Sequence, residues 1–197
     1  PTIVLPGVPL HVTLQGVGPE PMFLFPPDYA AFLTDLGEAS AVFGCAVHAY
    51  ALMPDHLHLL LTPAEAGGPS RLMQALARRP AQYATRRYGR TRAGCDARPH
   101  AAALHCDREF LACSRHIELD PVRAGAVSEP VAYRWSSFRA NGLGARDAVL
   151  TPHPAYLALG ATGPDRQRAY RALFERRVDA EAFRLVRRRP LAARAAL

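Results

Sequence analysis

The sequence predicts a mixed α/β (α+β) domain, and three observations carry that prediction. Residues 10–16, 46–53 and 56–62 alternate or run apolar over strand-like lengths. Residues 28–43 instead space Phe32, Leu33, Leu36 and Phe43 with the period of a helix. The chain has 197 residues, 49% of them hydrophobic and 21% charged, a balance that buries a core and excludes a disordered chain.

In order, the first strand ends at Gly16, and a Gly- and Pro-rich loop leads to the first helix. Asp28 is its expected N-cap and Gly44 its expected C′ residue. The second and third strands are joined by Pro54-Asp55, which predicts an antiparallel hairpin. Pro69-Ser70 open a helix over residues 71–87, which Pro80 is expected to kink or split. A short strand is expected near residues 101–104, followed by a helix capped by Asp107 and stopped by Asp120-Pro121. Residues 123–144 read as loop around Trp135-Ser-Ser-Phe138. A short helix is expected after Pro152-His-Pro154 and a last one over residues 164–174. The predicted division is a domain over residues 1–145 and a helical C-terminal extension over 146–197.

Charge is distributed unevenly. All 24 basic side chains are arginine, and none precedes Arg71. Residues 1–70 carry a net −6, residues 71–123 +6 and residues 124–197 +7, for a chain total of +7. A basic remainder behind an acidic front predicts a polyanionic partner, most simply nucleic acid. No apolar run approaches the roughly 18–20 residues of a membrane span. Pro1-Thr-Ile-Val-Leu-Pro6 has no basic n-region, so no secretory signal is expected. Four cysteines without CxxC spacing predict reduced thiols and a cytoplasmic location.

The sharpest local feature is His56-Leu57-His58 within a strand. With a side-chain period of two, both imidazoles face one side, where they can chelate a divalent cation. Leu57 and Leu59 then face an apolar layer. A zinc set drawn from His105, Cys106, Cys113 and His116 has irregular spacing and is the weaker candidate. His11 and His48 are expected to fill or border the sheet, and Trp135 to anchor packing.

The context of the histidine pair is Tyr50-Ala-Leu-Met-Pro-Asp-His-Leu-His-Leu-Leu-Leu-Thr-Pro63. Farther on come Ile117-Glu-Leu-Asp-Pro-Val-Arg-Ala-Gly-Ala-Val127 and Tyr133-Arg-Trp-Ser-Ser-Phe-Arg-Ala140. Over residues 10–160 the chain resembles the REP-associated tyrosine transposases of the single-tyrosine HUH superfamily. The resemblance implies a ferredoxin-like antiparallel sheet with helices packed on it. It also implies a Mg²⁺ or Mn²⁺ ion on His56, His58 and Asp120, and single-stranded or hairpin DNA as partner. In the family a tyrosine attacks the scissile phosphate, leaving a 5′-phosphotyrosine and a free 3′-OH.

Here the tyrosine position is occupied by His116 and the third-ligand position by Asp120, a hard oxygen ligand suited to Mg²⁺ or Mn²⁺. Residues four apart on a helix share a face, so the two side chains are expected to meet the same ion. Cleavage would then fall to His116, to Tyr83 or Tyr88, or to metal-activated water. The alternative is a catalytically inactive, decayed or domesticated DNA-binding descendant. The segment 92–100 and the Gly16-Val-Gly-Pro19 loop also depart from the family pattern. The expected DNA surface is Arg78, Arg79, Tyr83, Arg86, Arg87 and Arg90, guanidinium groups interleaved with stacking rings on one helix. Whether the protein is a monomer or homodimer is not legible.

Overall fold

Period-two burial along Leu10–Gln15 makes β1 a strand with Leu10, Val12 and Leu14 buried on one face. A computed structural model describes residues 4–17, 21–89 and 100–175. Strands β2 (Cys45–Leu52) and β3 (His56–Pro63) form the predicted hairpin, and β4 (His100–Ala103) is the expected short strand. All pairings are antiparallel, in the order β2-β3-β1-β4. With α1 (Pro26–Val42) between β1 and β2, and α2 (Gly68–Tyr88) between β3 and β4, this is the ferredoxin-like arrangement.

The sheet has two unlike faces. Leu57, Leu59 and Leu61 join Leu10, Val12 and Leu14 beneath Phe32, Leu36, Leu72, Met73 and Leu76 of α1 and α2. On the other face Ala49, Ala51 and Leu60 meet Phe110, Cys113 and Ile117 of α3 (Asp107–Glu118). Small alanines in β2 let α3 approach that face closely. After α3 come the one-turn helix α4 (Asp120–Arg123), a 3₁₀ turn (Pro130–Ala132), α5 (Phe138–Leu143), α6 (Pro154–Leu157) and α7 (Gly163–Glu175).

Four local expectations change. Asp28 is not the N-cap of α1, which is Phe25; Asp28 lies inside the first turn, where its Oδ2 accepts from the Leu24 and Phe25 amides. Asp107 likewise opens α3 as its first residue, behind Cys106 at the N-cap. Both carboxylates still oppose the positive end of their helix. Pro80 does not split α2. Its missing N–H removes one backbone bond, but Leu72, Met73, Leu76 and Ala77 before it and Ala84 after it are buried and hold the helix together. Finally, residues 123–144 are not loop throughout, because Ser137 and Phe138 are buried and start α5 there.

The edge of β2 is covered by the Trp135-Ser-Ser segment. Leu52 N donates to Trp135 O at 2.9 Å, Ser137 N donates to Tyr50 O at 3.0 Å, and Ser136 bridges Ala51. This covering removes an exposed strand edge. No helix among the described residues is long and apolar enough to cross a membrane.

Candidate metal centre

His56 and His58 alternate with Leu57 and Leu59, so burying the leucines under α1 and α2 turns both imidazoles toward α3. The register brings His58 opposite Thr13 of β1, and His11, two residues earlier, to the same face. At the far end of α3 the chain breaks at Leu119, and Asp120-Pro121 begin the short α4. This corner carries Asp120 over the histidine pair. His56 Nε2 lies 2.9 Å and His58 Nε2 3.7 Å from Asp120 Oδ2. The three side chains offer one ligand atom each, all within 4.8 Å of one another.

The opposite ring nitrogens are held from behind. His56 Nδ1 lies 2.8 Å from Asp55 Oδ1. His58 Nδ1 lies 3.0 Å from both His11 Nε2 and Thr13 Oγ1. Each ring is thereby oriented with Nε2 toward Asp120, and a proton on Nδ1 leaves the Nε2 lone pair for a cation. Asp120 Oδ1 is taken by Arg123 at 2.7 Å, which leaves Oδ2 for the centre. The residues present therefore fit a divalent ion: two imidazole nitrogens and one carboxylate oxygen converge.

Charge reinforces the arrangement. Burial lowers His58 well below the usual histidine range, with His11 adding to the effect, so its ring is neutral. His11 is pushed down to about 4 by burial, against the opposing pull of Asp120. Burial opposes the charge on His56 as well, but the Asp120 and Asp55 carboxylates outweigh it and raise its pKa. Asp120 sits below the usual carboxylate range: burial opposes ionisation, and His56, His58 and Arg123 overcome it. An ionised Asp120 beside a neutral His58 is the protonation state that ligation needs.

His116 stands next to this group, its ring centroid 5.9 Å from that of His58 and 6.0 Å from that of His11. Tyr83 and Tyr88 do not. They lie on α2, across the sheet from the histidines, and the Tyr88 hydroxyl donates to Asp28 Oδ1 at 2.7 Å in the α1–α2 layer. Arg78, Arg79, Arg86 and Arg87 share that layer and are exposed, with Arg79 on Asp35 at 3.0 Å. Arg90 and the segment 92–99 lie outside the described residues. The alternative zinc set does not gather: Cys113 is buried among Ala49, Leu60 and Phe110, and His56, His58 and Asp120 form the ligand group found among the described residues.

The sequence reading missed the backing residues Asp55, His11 and Thr13. Period-two spacing within β1 puts His11 and Thr13 on one face, but only the strand pairing reveals which face that is. It also missed Glu118. Fully buried, this carboxylate accepts from Ser137 Oγ at 2.5 Å, Asn141 Nδ2 at 2.9 Å and Tyr170 OH at 2.9 Å. The Glu-Leu-Asp and Trp-Ser-Ser-Phe runs thus meet in space, two residues from Asp120.

The model of the IS200-like transposase family matches residues 29–98, a span that includes both histidines. No curated protein sequence matches the chain. Among solved structures, a REP-associated tyrosine transposase bound to a REP hairpin superposes with a TM-score of 0.62 at 15% identity. The match covers 78% of this chain and 90% of that one, and shows a shared fold.

Proposed function

We propose that the chain is an IS200-like transposase, a hairpin-DNA-binding protein that cleaves and rejoins a single-stranded flank. The observation that carries this reading is the convergence of His56 Nε2, His58 Nε2 and Asp120 Oδ2 on one point. These residues would hold Mg²⁺ or Mn²⁺, which supplies positive charge for the scissile phosphate. Among the described residues the thiols of Cys45, Cys106 and Cys113 are free, which suits a reducing cytoplasm.

The nucleophile we assign is His116. It is next to the ligand group, whereas the sheet separates Tyr83 and Tyr88 from it. In this step a ring nitrogen of neutral His116 forms a bond to phosphorus while the bond to the 3′ oxygen breaks. The 3′ oxygen takes up a proton from solvent, and the 5′ phosphate remains on the imidazole as a phosphoramidate. Attack of a 3′-OH on that phosphorus reverses the step and returns the neutral ring, so strand joining needs no further energy source. Arg123, on Asp120 Oδ1, keeps Oδ2 turned toward the histidines during both steps.

The test is incubation with a hairpin bearing a single-stranded flank and Mn²⁺. The expected result is retarded DNA and an acid-labile covalent adduct mapping to His116. His116→Ala should keep the retardation and lose the adduct. Cleavage that survives in His116→Ala would reassign the attack to water. Retarded DNA with no cleavage under any divalent ion would leave a binding protein alone.

A further inference from the structure

A ladder of rings runs out of the core at the hairpin end of the sheet. Phe32 and Phe23 pack at 5.3 Å between centroids, Phe23 and Tyr29 at 4.6 Å, and Tyr29 and Trp135 at 4.7 Å. The last pair is stacked, with 13° between the planes. The outer end of the ladder is capped by Arg134, whose guanidinium carbon lies 4.9 Å from the Trp135 ring centroid. Arg134 is exposed and has no acidic partner among the described residues. It contrasts with Arg71, Arg79, Arg123 and Arg168, each of which sits on a carboxylate.

The location ties this stack to the metal centre. Trp135 O accepts from Leu52 N, and Leu52 pairs with Leu57, the residue between His56 and His58. Tyr133, just before the stack, donates to Leu52 O at 2.6 Å. The same end of the sheet holds Asp55, at the tip of the hairpin, and the start of α1.

We propose that Trp135 is a stacking platform for one base of the single-stranded DNA that flanks the cleaved phosphate, with Arg134 as its movable cap. In the free protein the guanidinium covers the indole. A cation–π contact at an exposed site is the weaker of the two contacts available to this ring, because a nucleobase offers a larger face. An arriving base therefore displaces Arg134 and becomes the next layer on Tyr29 and Trp135. The released guanidinium, with its planar fork, takes the neighbouring phosphate. The proposal rests on the DNA-binding reading above and adds a residue pair that no charge run or histidine motif marks.

Trp135 is the one tryptophan in the chain, so its emission reports on this site alone. The experiment is a titration of the full chain with a hairpin carrying a single-stranded flank. Binding is followed by anisotropy of a dye on the hairpin, and stacking by Trp135 fluorescence. The expected result is saturable quenching that tracks the anisotropy and is lost when one flank position is made abasic. Arg134→Ala should keep the quenching, weaken binding several-fold, and lower the slope of log K against log salt by about one phosphate contact. Its thermal midpoint should stay close to that of the wild type, since Arg134 is exposed. DNA binding with unchanged Trp135 emission would overturn the platform and leave the DNA-binding reading standing. Equal quenching at every abasic position would overturn it too. An absence of any anisotropy change would overturn both.

Discussion

The Tyr170 hydroxyl donates to Glu118 Oε2 at 2.9 Å across 52 residues of sequence, with both side chains buried. The bond links α7, late in the chain, to the last residue of α3, from which the chain turns to present Asp120. Removing the hydroxyl leaves a buried carboxylate oxygen short of a donor. Tyr170→Phe should therefore lower stability by about 1–3 kcal/mol. Glu118→Ala should cost more than Tyr170→Phe, because it leaves the Ser137, Asn141 and Tyr170 donors without their shared acceptor. Urea denaturation of both variants checks the order, and a larger loss in Tyr170→Phe would contradict it.

The same group gives a pH signature. Burial pushes Glu118 up to about 7, although its hydrogen bonds from Ser137, Asn141 and Tyr170 pull the other way. A carboxyl with a folded pKa above its unfolded value favours the fold when protonated. Its contribution is complete below about pH 4.5 and is lost as pH rises through 7. His48 behaves oppositely. Burial pushes it down to about 4, against the pull of its Thr151 carbonyl contact, so its contribution is present above about pH 6.5 and is lost as pH falls through 4. Stability measured across this range should show Glu118→Gln removing a loss on the alkaline side, and His48→Gln removing one on the acid side. Variants whose pH profiles run parallel to the wild type would refute both assignments.

Asp55 holds His56 Nδ1 at 2.8 Å and is itself exposed. Through it, a surface carboxylate fixes the ring of a candidate metal ligand. Asp55→Ala should weaken Mn²⁺ binding about 10–100-fold and leave folding nearly unchanged. His58→Ala, by contrast, should abolish tight binding. Isothermal titration with Mn²⁺ measures both, and equal affinity in Asp55→Ala and wild type would rule out the orienting role. Because the Asp120 and Asp55 carboxylates favour protonated His56 against its burial, an ion at its Nε2 competes with a proton and should bind more tightly as pH rises. The measured heat should accordingly depend on the ionisation enthalpy of the buffer.

These predictions draw unevenly on the sequence. The histidine pair, the hairpin and the helices were legible because period-two and helical spacing act over a few neighbouring residues. Asp120 became legible through a motif, not through spacing, since α3 breaks at Leu119 between it and His116. The backing of His58 by His11 was not legible, because it depends on β1 pairing with β3, 47 residues away in sequence. Glu118 read as one acidic residue among seventeen. Nothing local marks a carboxylate that will be buried under three donors from two later segments. For Trp135 the packing role was legible, but not that an exposed arginine would lie on its ring.

The arginines of α2 offer a last separation, between side chains that meet solvent and one already engaged. Arg79 sits on Asp35 at 3.0 Å, so moving it to a phosphate costs an existing ion pair. Arg86 and Arg87 are exposed in the last turn of α2, close to Tyr88 and the start of α1, at the hairpin end of the sheet. On the proposed function, DNA bound at His56 would pass that end and reach α2 around the edge of the sheet. Each phosphate contact contributes about 0.7–0.9 to the slope of log K against log salt. Arg86→Ala with Arg87→Ala should thus reduce hairpin affinity and lower that slope by about 1.4–1.8. Arg79→Ala should leave the slope within about 0.3 of wild type by the same counting. Binding across a series of salt concentrations decides between them. A slope that falls for Arg79→Ala and not for the double variant would move the DNA path to the middle of α2, away from the metal centre.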